Sequence, residues 1–296
     1  MSLKRVDPVL YLFLIPCLVY TIVFSYIPLY GLQIAFKNFR ASLGIWGSPW
    51  VGLLNFQRFF SSFSFWQLLL NTLALTVYSL LAGFPVPIIL SLILNYTIFP
   101  KLKKFTQTVT YAPHFISVVV MVGIIQIFFS SNGPINLVLG KFGFNPTIFM
   151  GRVDLFRSIY VWSGIWQHSG WQSIIYLAVL SGVSQELHEA AMIDGASKIK
   201  RILCIDIPAL IPTATILLIL NVGSIMSVGF EKAFLLQNNV NLQVSEVIST
   251  YVYKIGILGA QYSFASAVGL FNNTINFILL ICINKAAKVM SETSLW

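Results

Sequence analysis

Polar and aromatic side chains cluster at the centre of one apolar stretch, residues 155–180. The cluster consists of Trp162, Trp166, Gln167, His168, Ser169, Trp171 and Gln172. Uncharged hydrogen-bonding groups beside indole rings suit a sugar, because sugar hydroxyls need partners and the C–H face of the ring stacks on aromatic groups. Polar residues in membrane segments also tie helices together. Sugar binding and helix packing therefore both stay open for Trp162, Trp166, Gln167, His168, Trp171 and Gln172.

Asparagines in the last two apolar stretches present the same choice. They are Asn221, Asn272 and Asn276, with Ser224, Ser227 and Asn273 as polar neighbours. An asparagine is costly in lipid and must point into a helix bundle or a wet cavity. Each of them can face a translocation path or join two helices.

No catalytic or metal-binding set is apparent in the chain. His114, His168 and His188 are far apart, and none has a second histidine, a cysteine or a carboxylate beside it in a binding pattern. Gly140-Lys141 lacks the glycine and the hydroxyl residue of a phosphate loop. We therefore predict a non-enzyme without a bound metal or cofactor.

A long polar interruption, residues 181–212, lies between two apolar stretches. Its charges exclude it from hydrocarbon, where a central Asp, Lys or Arg costs roughly 2.5 to 3.5 kcal/mol. Ser184 and Ser197 are typical N-caps, Gly195 suits a left-handed turn and Pro208 suits the first turn of the next helix. The pattern predicts two short helices outside the membrane, separated by a tight turn.

Composition places the chain among polytopic membrane proteins. Of 296 residues, 57% are hydrophobic and 9% charged, against about 25% charged in soluble domains. Six apolar stretches are long enough to span a membrane, within a single domain, 1–296. They are residues 9–35, 67–97, 106–129, 155–180, 207–230 and 262–283. The first is too long for a signal peptide and is expected to be retained.

Six crossings place both termini on one side, and the basic residues indicate which side. Ten lysines and arginines lie in the short segments on the same face as residues 181–212. The other eight are spread through the longer loops on the opposite face. The denser face is predicted to be cytoplasmic.

The polar segment also carries a motif. Glu189-Ala190-Ala191, Asp194-Gly195-Ala196 and Ile205-x-Ile207-Pro208 resemble the EAA loop of binding-protein-dependent ABC importer permeases. Further segments in the same order resemble the carbohydrate branch of that family, the lipoprotein-associated polysaccharide transporter type. They are PLYGLQIAFKNF, GLLNFQRFF, YAPHFISVVV, GWQSIIYLAVLSG and the closing SLW.

The resemblance implies an all-α, six-helix, type I (MetI-like) permease of a bacterial inner membrane that imports oligosaccharides or polysaccharide fragments. It implies a second homologous permease, two ATP-binding cassette subunits holding ATP and Mg, and an extracellular solute-binding lipoprotein, with no nucleic acid partner. Residues 181–208 are then the cytoplasmic coupling loop. Glu189 pairs with a basic ATPase residue, Ala190 and Ala191 pack in its groove, and Gly195 makes the turn. The remaining loop residues of the motif are Asp194, Ala196 and Pro208.

Three other classes of membrane protein are alternatives to a permease of this family. An ion-coupled secondary transporter usually needs an ionisable residue deep in a span, and no Asp, Glu, Lys or Arg is predicted near the middle of any of the six. A membrane-embedded enzyme lacks its catalytic set. A receptor or scaffold stays open on the residues alone.

Overall fold

The computed structural model describes residues 8–223 and 225–291, and its side chains are described from residue 12 to 288, apart from residue 224. Contacts divide the chain into two compact units, Met1–Ser62 with Val252–Phe271, and Phe63–Tyr251 with Asn272–Trp296. Over the described ranges every regular element is a helix and no strand is formed. The all-α prediction is confirmed, whereas the single-domain prediction stays a prediction.

The first unit consists mainly of apolar helical segments. They are α1 (Pro8–Thr21), a π-helical turn (Ile22–Tyr26), a 3-10 segment (Ile27–Phe36), α2 (Gly44–Gly47), α3 (Leu54–Phe60) and a π-helical turn at Lys254–Leu258. Lys37 is buried here, with its Nζ donating to the Ile45 carbonyl at 2.7 Å and lying 4.8 Å from the Trp50 ring centroid. Asn55 Nδ2 donates to the carbonyls of Ala35 and Lys37, which fixes the end of the 3-10 segment.

The second unit holds the longer helices. They are α4 (Ser64–Gly83), α5 (Pro85–Asn95), α6 (Pro100–Tyr111), α7 (Val118–Phe128), α8 (Pro134–Lys141), α9 (Val153–Ser181), α10 (Gln185–Ile193), α11 (Lys198–Arg201), α12 (Ile207–Gly223), α13 (Phe230–Leu236) and α14 (Leu242–Ser245). Short 3-10 segments lie at Ala112–Phe115 and Phe149–Gly151, and a π-helical turn at Ile202–Asp206. α15 (Ile248–Tyr253) and α16 (Tyr262–Ser291) complete the described chain.

Helix α9 organises the second unit, packing against α4, α5, α6 and α12. Its N-terminal half contributes Phe156 and Tyr160 to the main apolar core, and its C-terminal half contributes Tyr176 to a second one. Gly170 allows the closest crossing, because a Cβ there would overlap the Thr110 carbonyl of α6. α9 is thus held along its length, and its polar centre has a defined position.

Prolines divide two of the predicted spans. α4 ends at Gly83 and α5 starts at Pro85, since a proline lacks the N–H that continues a helix but fits the first turn of a new one. Around Pro113 the bend is larger, 105° between Pro100–Phe115 and Val118–Phe128. The predicted third span is therefore a bent pair of helices.

The six-span count is not confirmed. Four helices of the described chain are long and apolar enough to cross a membrane: Leu12–Phe36, Ser64–Asn95, Lys198–Gly223 and Tyr262–Lys288; the bent pair, taken as one span, makes five. α9 is 29 residues long but is not among them, and its centre carries the polar cluster.

Two boundaries of the predicted elements are corrected. The second short helix does not stand apart from the next span, because α11, the π-helical turn and α12 form one helical stretch from Lys198 to Gly223. The fifth span was predicted to reach Phe230, but α12 ends at Gly223. Beyond it, the Met226 N–H donates to the Asn276 side chain at 2.8 Å instead of to a helical carbonyl.

Candidate functional site

Helix α10 is a short, exposed rod with both ends capped. The Ser184 hydroxyl accepts from the Glu186 N–H at 3.2 Å, and the Glu186 carboxylate lies in the first turn, where it suits the helix dipole. The next helix starts in the same way, with the Ser197 hydroxyl accepting from the Lys200 N–H at 3.3 Å. Both predicted N-caps are confirmed.

The C-terminal end of α10 is closed by a Schellman motif. The Ala196 N–H donates to the Ala191 carbonyl at 2.8 Å and the Gly195 N–H to the Met192 carbonyl at 3.0 Å. Gly195 has a φ of +76°, a conformation that glycine adopts without steric cost. Asp194 is the residue between the helix and this turn. The predicted tight turn is therefore confirmed at the predicted glycine.

The free face of α10 carries the motif residues. Glu189 is exposed and accepts a hydrogen bond from Gln185 Nε2 at 2.9 Å, one helical turn away. Ala190 is exposed and Ala191 half-buried, so a partner can approach the helix backbone closely on that side. Pro208 lies in the first turn of α12. Large apolar side chains around them also face outward: Leu187, Met192, Ile193, Ile199 and Leu203.

A polar cluster attaches α10 to the ends of two other helices. Asp206, in the π-helical turn before α12, has an exposure of 0%. Its Oδ2 accepts from the Tyr96 hydroxyl at 2.6 Å, and its Oδ1 lies 3.4 Å from His188 Nε2 on α10. Lys198 Nζ lies 5.1 Å from the Tyr96 ring centroid. The cluster thus joins α10, the start of α12 and the residue that follows α5.

Tyr96 is a hydrogen-bond donor in this cluster. It lies just beyond the last residue of α5. Burial, followed by the hydrogen bond to Asp206, raises the pKa of the Tyr96 hydroxyl to about 12. The hydroxyl therefore stays protonated at neutral pH and can donate to the carboxylate.

A cavity of about 570 Å³ lies within the second unit. Its walls come from α4, α5, α9 and α12 and from the chain around α13. Its volume falls in the roughly 300–1,000 Å³ range of small-molecule sites. Its polar lining residues include Ser79, Gln167, His168, Ser169, Gln172, Asn221, Glu231 and Lys232.

Four of the nine candidate residues for a substrate path line this cavity, and five do not. Gln167, His168, Gln172 and Asn221 line the cavity, whereas Trp162, Trp166, Trp171, Asn272 and Asn276 are not among its lining residues. Gln167 also donates to the Ile116 carbonyl at 2.9 Å. Asn276 Nδ2 donates to Ser227 Oγ at 3.0 Å, in addition to its contact with Met226. Ser224 lies outside the described residues.

The three tryptophans of α9 are each about half exposed. Trp162 Nε1 donates to the Tyr78 hydroxyl at 3.0 Å, and Trp171 stacks on His114 with 4.7 Å between ring centroids. Trp166 is 52% exposed. Part of each indole ring is therefore exposed on the surface of the described chain.

Two of the three histidines, His114 and His168, lie side by side in the fold, which corrects the sequence interpretation for this pair. His114 Nδ1 and His168 Nδ1 are 3.3 Å apart, because the bend around Pro113 brings the 3-10 segment onto α9. His188, expected to have no carboxylate beside it, faces Asp206. Among the described residues no group of three or more His, Cys, Asp or Glu could hold a metal ion.

Three charged residues, Lys37, Asp206 and Lys232, are buried in the described structure although their burial was not predicted from the sequence. Lys232 is one of the eight basic residues that the sequence places in the longer loops of the non-cytoplasmic face, yet it is 8% exposed and lines the cavity beside the middle of α9. The signal was present in FEKAFLL, where the lysine has no carboxylate three or four residues away in either direction. Asp206 stands between two isoleucines, a setting that predicts burial.

Known proteins resemble the chain over nearly its whole length, although no family model matches it. It is 41% identical to "Protein LplB" of Bacillus subtilis (strain 168) over 296 residues, all of this chain and 93% of that protein. It is 39% identical to the "Polygalacturonan/rhamnogalacturonan transport system permease protein YteP" of the same strain, covering 97% of this chain and 90% of that protein.

A solved structure has the same fold. It is a chain of a bacterial alginate ABC transporter in complex with an alginate pentasaccharide-bound periplasmic protein, with a TM-score of 0.91, 36% identity, and coverage of 98% of this chain and 97% of that one. These likenesses confirm the ABC importer permease (MetI-like) fold and give no support to the ion-coupled alternative. The chain belongs to the carbohydrate ABC importer permeases, and it is an integral membrane transport subunit rather than an enzyme.

Proposed function

We propose that the chain forms half of a heterodimeric pathway for oligosaccharides or polysaccharide fragments in a bacterial inner membrane, with α10 as its cytoplasmic coupling helix. The observation that carries this proposal is the capped, outward-facing rod of α10, with Glu189 and Ala190 on its free face and exposed apolar side chains around them. Such a surface is suited to a groove in a partner protein.

The coupling step follows from the way in which α10 is attached. Two ATP-binding cassette subunits, carrying ATP and Mg, close on the nucleotide and move α10. The rod transmits this movement because the caps and the Schellman turn keep it helical, and because His188 and Asp206 join it to α12. Glu189 forms an ion pair with a basic residue of the ATPase subunit, Gly195 maintains the turn, and Ala190 and Ala191 allow close packing.

The sugar step uses the cavity of the second unit. A solute-binding lipoprotein on the outside delivers the oligosaccharide, and Gln167, His168, Gln172 and Asn221 offer uncharged hydrogen-bonding groups to its hydroxyls. The exposed faces of Trp162 and Trp166 provide stacking surfaces where this chain meets the second permease. Asn272 and Asn276 support the neighbouring helices. Both termini are cytoplasmic in this arrangement.

The proposal is tested by reconstituting the chain with its second permease and the ATPase subunits in proteoliposomes. Uptake of labelled oligosaccharide should require ATP, the binding protein and an intact α10. Uptake driven by an ion gradient in the absence of ATP would refute the mechanism. Absence of any oligosaccharide uptake by a complex that hydrolyses ATP would refute the substrate class.

A further inference from the structure

Lys232 is a buried cation that no described acidic residue neutralises. Its Nζ donates to the Tyr160 carbonyl at 2.8 Å and lies 4.8 Å from the Tyr160 ring centroid. Neither partner carries a negative charge, and no described carboxylate forms an ion pair with it. An ammonium has three protons, and this one makes a single hydrogen bond within the described chain.

Lys232 is one of the residues that line the cavity, together with Gln167 and His168 from the middle of α9. Gly164 lets the ammonium pack closely against α9, since a Cβ there would lie only 3.2 Å from Nζ. An unpaired charge in such a place is costly, so an anionic ligand that reaches it is bound more strongly than at an exposed site.

We propose that Lys232 binds the carboxylate of an acidic sugar, so that this transporter carries oligosaccharides containing uronic acid units. The inference rests on the proposed function, because it assigns a substrate class to the same pathway. Charge-assisted hydrogen bonds between an ammonium and a carboxylate are stronger than those to a neutral hydroxyl. The uncharged lining residues then serve the hydroxyls, while Lys232 selects for charge.

Glu231 lines the same cavity and carries the opposite charge. Its side chain is exposed, where water screens its repulsion of an incoming carboxylate, whereas Lys232 is buried and screened much less. Adjacent residues of a helix do not face the same direction. We therefore expect the attraction of a ligand carboxylate to the Lys232 ammonium to exceed its repulsion by Glu231.

The test compares one acidic and one neutral substrate of equal length in the reconstituted complex. The probes are trigalacturonate and its fully methyl-esterified form, and the variants are Lys232→Met and Lys232→Gln. The solute-binding protein has its own preference, but this cancels in the ratio of variant to wild-type uptake. Glutamine keeps a donor for the Tyr160 carbonyl and removes the charge, so it separates the two contacts of the lysine.

We expect both variants to lose roughly tenfold or more of trigalacturonate uptake, from the loss of a hydrogen bond to a charged group. Uptake of the methyl ester should change less than about twofold with Lys232→Gln, because the neutral hydrogen bond is kept. Lys37 provides the matched control, since it is also buried, donates to a carbonyl and lies over an aromatic ring. Lys37→Gln should alter uptake of the two sugars equally.

Several results would overturn the inference. Equal losses for both sugars in the Lys232 variants would make the lysine structural, as would full activity of Lys232→Gln on trigalacturonate. Uptake of the neutral sugar alone by the wild-type complex would reject acidic substrates while leaving sugar import intact. Uptake of neither sugar, nor of any other oligosaccharide, would reject both the inference and the proposed function.

A binding measurement on the wild-type complex tests the inference even if the Lys232 variants do not assemble. The wild-type complex, without its solute-binding protein, is titrated with each probe while its tryptophan fluorescence is followed. We expect trigalacturonate to bind at least about tenfold more tightly than the methyl ester. Equal affinities, or binding of neither probe, would refute the assignment of Lys232.

Discussion

The buried Asp206 cluster allows a quantitative test of the proposal that α10 transmits movement to the membrane helices. Tyr96→Phe removes the hydroxyl that donates to Asp206 at 2.6 Å and changes little else in shape. A hydrogen bond to a charged group contributes about 1.5–3 kcal/mol, and Asp206 is 0% exposed, so the upper part of that range applies. Among the residues that the structure describes, the basic group within 4 Å of the Asp206 carboxylate is His188 Nε2, at 3.4 Å.

Tyr96→Phe should mainly affect stability, and His188→Ala should mainly affect coupling. The thermal midpoint of the purified complex should fall by a few degrees, because roughly 2–3 kcal/mol is lost from one buried site. His188→Ala should have the larger effect on coupling, because it disconnects α10 itself. We expect its ATP hydrolysis to stay within about twofold of wild type while sugar uptake falls roughly tenfold, as for an interaction worth about 1.4 kcal/mol in the transmitting state.

The assay is uptake and ATP hydrolysis measured on the same proteoliposomes, with a double-mutant cycle of His188→Ala and Asp206→Asn. Groups in contact show an interaction energy of about 0.5–3 kcal/mol, whereas independent sites add within about 0.5 kcal/mol. Additive effects of the two changes on uptake would refute the link through Asp206. An unchanged ratio of sugar to ATP in His188→Ala would equally show that α10 is coupled elsewhere.

The remaining predictions concern single positions in α9 and α10. Glu189→Ala should uncouple ATP hydrolysis from uptake without unfolding the protein, and unchanged uptake would remove its coupling role. Gly195→Ala should lower stability by about 1 kcal/mol, measured by thermal unfolding, because φ is +76° there; a Gly182→Ala control has no such strain. Gln172→Ala should weaken the apparent affinity for sugar several-fold if the cavity is the path, and an unaltered concentration dependence would return it to packing. Gly170→Ala should cost about 1–3 kcal/mol through overlap with α6, so wild-type stability would contradict the close crossing.

Features set by neighbouring residues could be predicted from the sequence. A cap, a left-handed glycine or a proline break depends on atoms within one helical turn, so Ser184, Ser197 and Gly195 were assigned correctly. The family motif lies on the same segment, so its candidate coupling residues could be named as well. Their role in coupling stays a prediction.

Features set by distant packing could not be predicted in this way. His114 and His168 meet because the bend at Pro113 is 105°, and no local signal gives that angle. The early end of α12 depends on an asparagine 50 positions later in the chain. Whether Lys232 faces water or a cavity likewise depends on α9, which precedes it by many residues.

Helices α9 and α12, which precede and follow α10 in the chain, both line the cavity, and the Asp206 cluster lies at the start of α12. α9 lines the cavity with Gln167 and Gln172 and ends at Ser181, nine residues beyond Gln172, or about 14 Å along the axis. α12 lines the cavity with Asn221 and begins at the turn that holds Asp206. Because helices are stiff over such lengths and α10 lies between these two in the chain, we expect a displacement of α10 to move at least one wall of the cavity. If α10 is the coupling helix, as proposed, its movement and the shape of the cavity that Lys232 lines are therefore expected to be linked through α9 and α12.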